Sequence, residues 1–183
     1  MEAILNSFLL VAATEMGDKT QLLALVLAVK FKKPWHVMGG ILAATILNHA
    51  LAAWFGQWIS SQVPSHYLNW ALAITFFGFA LWILIPDKDD SNPDNMRWGA
   101  FWTTTVLFFF AEIGDKTQLS TVALAAKYQN LTLVTVGTTL GMLFSDGLAV
   151  VFGERLTQKI PMKWINYGSS LLYMIFGVGI LMR

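Results

Sequence analysis

The 183-residue chain has no cysteine, which excludes disulfides, thiolate metal sites and thiol catalysis. Charge is scarce too: 13% of residues are Asp, Glu, Lys or Arg and 56% are apolar, with a mean hydropathy of +0.57. An ordinary soluble domain is not built from that ratio. The formal net charge is only +1, and without an acidic tail this argues against a nucleic-acid partner. Arginine occurs only as Arg97, Arg155 and Arg183.

What the chain does have is apolar length. Six stretches, Ile4–Val29, Trp35–Ile59, Tyr67–Ile85, Trp98–Ala126, Thr132–Gly153 and Trp164–Met182, each approach or exceed the roughly 20 residues a helix needs to cross about 30 Å of hydrocarbon. The expected fold is all-α and integral to a lipid bilayer, with six transmembrane helices and function within the membrane or at its edge. The first stretch lacks a basic leader and carries Glu15 and Asp18, so it is expected as a first helix and not a cleaved signal.

One hexapeptide occurs twice, Glu15-Met16-Gly17-Asp18-Lys19-Thr20 and Glu112-Ile113-Gly114-Asp115-Lys116-Thr117, 97 residues apart. The same offset brings Gly40 onto Gly137, Ala44 onto Gly141 and Asn48-His49 onto Ser145-Asp146. In the third helix of each half the register slips, so that Phe77-Gly78 matches Phe176-Gly177. The chain therefore divides into repeat 1 (1–86), an acidic linker (87–97) expected in the cytoplasm, and repeat 2 (98–183). Three spans per repeat invert the second copy relative to the first, and sites in such folds lie at the midplane between repeats. Lys30, Lys32, Lys33, Lys88, Arg97, Arg155, Lys159 and Lys163 fall on one side and Lys127 and Arg183 on the other. The first side is thus expected to be cytoplasmic and both termini outside.

Ionisable residues inside apolar spans are functional candidates by default. Glu15 and Asp18, like Glu112 and Asp115, are three residues apart and are expected on one helical face. Four carboxylates with Lys19 and Lys116 as internal counter-charges leave −2, the complement of one divalent cation or of two protons. Crowded in low dielectric, such carboxylates repel one another and hold protons until a metal enters. Thr14, Thr20, Thr117, Gln21 and Gln118 add oxygens, a shell suited to Ca²⁺, Mn²⁺ or Mg²⁺. Asn48, His49 and Asp146 are further candidates, and a nitrogen from His49 would favour Mn²⁺ over Ca²⁺. Gly17 and Gly114 permit either a local break or a close helix approach. The ladders Gly40-Ala44-Asn48 and Gly137-Gly141-Ser145 are expected to be packing seams.

The paired Glu-x-Gly-Asp-Lys-Thr motifs, intact at Glu15–Thr20 and Glu112–Thr117, resemble the second calcium/cation antiporter family, which includes the vertebrate Golgi manganese/calcium transporter and bacterial manganese exporters. The resemblance covers essentially the whole chain. It implies export of Mn²⁺ or Ca²⁺ as transported substrate in exchange for protons, with the four acids as the metal site and no permanently bound cofactor. The short chain is more similar to the bacterial members, which implies a bacterial inner membrane and manganese.

Two other classes compete. A membrane enzyme acting on lipid phosphates would use buried acids but normally needs a phosphate-binding cation, and the three arginines lie at span ends. A small-solute exporter of the amino-acid type would use the lysines to bind a carboxylate. Pairing into a homo-oligomer is left open by the sequence.

Overall fold

The computed structural model describes residues 1–84, 98–152 and 162–182. The linker 87–97 with Lys88 and Arg97 lies outside the described residues, as do Arg155 and Lys159. Among the described residues the chain is helical and has no strand: α1 (Glu2–Glu15), α2 (Lys19–Phe31), α3 (Pro34–Gln62), α4 (Ser65–Trp82), α5 (Ala100–Glu112), α6 (Lys116–Tyr128), α7 (Leu131–Phe152) and α8 (Met162–Leu181). Helices α3 and α7 are long and apolar enough to cross a membrane, and α5 and the 167–181 part of α8 are shorter apolar helices.

The expectation that the acids of each motif lie on one helical face is corrected, and of the two roles open to Gly17 and Gly114 the break is found: each of those stretches is a pair of helices. Met16 (φ −67°, ψ 110°) and Ile113 (φ −64°, ψ 119°) are extended, and Gly17 and Gly114 follow with φ of +85° and +78°. The Asp18 amide donates to Glu15 O (3.1 Å) and the Asp115 amide to Glu112 O (3.2 Å). This is the geometry of a type II turn, which demands a positive φ at its third residue and hence favours glycine there. The acids of each motif consequently do not share a helical face. Glu ends one helix and Asp stands at the N-cap of the next.

Polarity is arranged inside out relative to a soluble protein. Large apolar side chains such as Trp35, Trp54, Ile74, Leu81, Phe110 and Ile175 are exposed, while Glu15, Glu112, His49 and Asp146 are fully buried. An apolar girdle of this extent is compatible with lipid as the surrounding solvent and not with water.

Helix α1 packs most extensively on α7, and α5 does so on α3. Glycine makes these seams close: a Cβ on Gly137 would lie 2.6 Å from Ile4 O, and one on Gly40 would lie 2.6 Å from Phe101 O. Where α3 and α7 meet, Thr45 Oγ1 donates to Met142 Sδ (3.3 Å), and these two residues are again 97 apart. Helices α4 and α8 pair through Phe76, Phe79, Tyr173 and Phe176.

Candidate functional site

Each motif turn is held by its own glutamine. The Gly17 amide donates to Gln21 Oε1 and the Gly114 amide to Gln118 Oε1, both at 2.7 Å. Gln21 Nε2 also reaches across to Ser145 O (2.8 Å) and Ser145 Oγ (3.2 Å) on α7. The amide oxygens expected to join a ligand shell are therefore already used in bracing the turns.

With both turns in place, Glu15, Glu112 and Asp115 each offer a carboxylate oxygen within 4.8 Å of the others, and all three are buried. One comes from the first half and two from the second. Asp18 lies outside this group, at the α2 N-cap and partly exposed. Lys19 Nζ bridges to Asp115 Oδ1 at 3.0 Å, joining the two halves. Lys116 is buried against α4, its Nζ 5.9 Å from the Trp82 ring centroid.

The two glutamates differ sharply in their partners. Thr20 Oγ1 donates to Glu15 Oε2 at 2.7 Å, and Thr117 Oγ1 donates to Glu15 Oε1. Both motif threonines thus serve one carboxylate. Neither oxygen of Glu112 has a hydrogen-bond partner among the described residues, although both are buried. Asp115 accepts a bond from the Thr117 amide (3.4 Å). Three carboxylates against one ammonium leave a formal charge of −2. Oxygen donors with that charge suit a hard or borderline dication, which can satisfy buried oxygens that protein donors do not.

Asp146 on α7 is buried without a hydrogen-bond partner among the described residues, and its charge repels those of Glu15 and Glu112. His49 is buried on α3 with neither ring nitrogen partnered there. Asn48 Nδ2 donates to Phe109 O at 3.0 Å and leaves Oδ1 without a bond. The Thr14 hydroxyl is engaged elsewhere, its one proton shared between Leu10 O (2.7 Å) and Tyr173 Oη (3.0 Å). Sequence reasoning missed Tyr173 and Ser120, which carry no motif; their only signal was polarity inside an apolar span.

The profile of the family described as "Divalent cation/proton antiporter GDT1" matches residues 3–91 and 100–183. The chain belongs to this family. It is accordingly a membrane transporter of the cation/proton antiporter kind and not an enzyme. Among its GDT1 relatives, a Vibrio cholerae protein named "Putative manganese exporter" is 41% identical, over 97% of this chain and 90% of the relative. The Synechocystis "GDT1-like protein sll0615" is 30% identical, over 97% and 96% of the two chains. An Arabidopsis thaliana "GDT1-like protein 3" is 26% identical, over 97% and 69%. No solved structure matches the chain.

Proposed function

We propose that this GDT1 antiporter exports Mn²⁺ from the cytoplasm of a bacterium in exchange for protons. It does so through one site built on Glu15, Glu112 and Asp115, with Lys19 as counter-charge. The observation that carries this reading is the convergence of those three buried carboxylates from both halves, at a formal −2. A dication and a pair of protons are interchangeable occupants of such a site. The name of the Vibrio cholerae relative supports manganese; an all-oxygen group would also accept Ca²⁺.

The scaffold is six spans in two repeats, 1–86 and 98–183, of inverted topology. In two of the spans the membrane is crossed by a broken pair, α1 with α2 and α5 with α6. Helices of 13 or 14 residues rise only about 20 Å each, short of the roughly 30 Å core. Two such helices in series suffice. Broken helices meeting at the midplane, with irregular backbone turned toward a site, are how inverted-repeat transporters bind ions. Lysine distribution supports the side of Lys30, Lys32 and Lys33 as cytoplasmic, with both termini outside an inner membrane.

The test uses purified protein in liposomes enclosing a pH dye, with each divalent cation or an amino acid added in turn. Mn²⁺ should drive proton movement, and Glu15→Gln, Glu112→Gln and Asp115→Asn should each reduce it about tenfold or more, the loss of one charge-assisted contact. Wild-type rates in Glu112→Gln and Asp115→Asn would move the site elsewhere, to Asp146 and His49 first. A response to amino acids and none to metals would favour the solute-exporter class instead.

A further inference from the structure

Helices α4 and α8 are docked on one side of the molecule only. Helix α8 packs on α1 and α4 packs on α6, while no comparable packing joins α8 to α2 or α4 to α5 among the described residues. Equivalent positions record the difference. Ala126 on α6 is 2% exposed and its counterpart Val29 on α2 is 64% exposed. Likewise Tyr173 is 1% exposed, whereas its counterpart on α4, Ile74, is 66% exposed.

The docked side is held by hydroxyls. Thr14 Oγ1 lies 3.0 Å from Tyr173 Oη, and Tyr173 Oη lies 2.7 Å from Ser120 Oγ. Ser120 donates its own proton to Lys116 O (2.6 Å), so the tyrosine donates to Ser120, and the single Thr14 proton is shared between Leu10 O and Tyr173 Oη. One turn away, Ser169 Oγ donates to Ala13 O at 2.7 Å. Tyr173 thereby clamps α8 to the last turn of α1, beside Glu15, and to the first turn of α6, beside Lys116. At the repeat-equivalent positions the three hydroxyl residues become Ala111, Ile74 and Leu23. All three are hydrocarbon.

We infer that Tyr173 is a gate-positioning residue: its hydroxyl latch on Thr14 and Ser120 closes the α1/α6 side of the cation site, and the opposite gate closes on apolar contacts alone. This rests on the cation/proton exchange and the inverted repeats proposed above, and adds that α4 docks on α5 when α8 leaves α1. On that reading the latched side faces outward, and the latch biases the carrier toward the state open to the cytoplasm.

The cysteine-free chain permits a direct test. In lipid nanodiscs, oxidative crosslinking of an Ala13→Cys, Ser169→Cys pair reports the latched gate. A Phe110→Cys, Trp70→Cys pair, at the equivalent positions, reports the opposite one. Tyr173→Phe removes the bond to Ser120 and the shared one from Thr14, and should slow the first reaction and accelerate the second, so that the ratio of the two rates falls by about tenfold. The double variant Thr14→Val, Ser120→Ala keeps Tyr173 in place and should shift both rates the same way. Unchanged crosslinking at Ala13 and Ser169 in both variants would overturn the latch. Slower crosslinking there with no gain at Phe110 and Trp70 would support the latch and overturn the exchange on which it rests.

Discussion

Replacing Gly114 by alanine isolates the contribution of the motif turn. A Cβ at Gly114 meets no atom within 4 Å, so the substitution creates no clash, and the whole cost lies in the backbone, where φ is +78°. An L-residue forced into that region costs about 1–2 kcal/mol, equivalent to roughly a five- to thirtyfold shift in the ratio of molecules with the turn formed to those without it. Alanine also has the highest helix propensity, so the competing state is α5 running straight on into α6. A continuous helix would put Glu112 and Asp115 on one face of a single rod and re-aim them relative to Glu15 on α1, dismantling the three-carboxylate group that the turn assembles. The expected outcome is exchange reduced about five- to thirtyfold in liposomes, with thermal stability in detergent lowered by only about 1–2 kcal/mol. Gly114→Asn should retain more activity than Gly114→Ala, because Asn tolerates the left-handed region better. Wild-type exchange in Gly114→Ala, or equal loss in the two variants, would refute the claim that a positive φ at this residue builds the site.

Gly137→Ala places a Cβ 2.6 Å from Ile4 O and should destabilise the α1/α7 seam by about 1–3 kcal/mol, read as a lower unfolding temperature. Lys19→Gln removes the 3.0 Å bridge to Asp115 and should change the pH dependence of transport more than the choice of cation; altered selectivity with an unchanged pH profile would count against Lys19 as a counter-charge. Cysteine at Lys32 should resist an impermeant label on intact cells and cysteine at Ser61 should react, and the opposite pattern would reverse the proposed orientation. Thr117→Val should weaken exchange more than Thr105→Val, because Thr117 donates to Glu15 whereas Thr105 only bonds back to Phe101 O within its own helix.

Much of this protein was legible before any fold was known. An apolar composition with duplicated acids leaves few classes of protein open, because ionisable groups in lipid are too costly to keep without a use. The seams were legible too, since Gly40 and Gly137 recur at the same repeat position and small residues are what let helices approach in a membrane. Gly17 and Gly114 signalled a break or a close approach, and the choice between them depended on a backbone angle that residue identity leaves open.

Tertiary structure decided how two identical motifs are used differently. Glu-x-Gly-Asp-Lys-Thr reads the same at 15–20 and at 112–117, yet Asp115 joins the carboxylates and Asp18 does not, and Glu15 takes both threonines while Glu112 takes neither. Local sequence cannot distinguish them. The difference comes from long-range packing: among the described residues α8 packs on α1 and α4 on α6, with no comparable packing of either on α2 or α5, so chemically equal residues meet unequal surroundings. Composition and spacing settle which residues are expensive to bury; only the packed helices settle which of them meet.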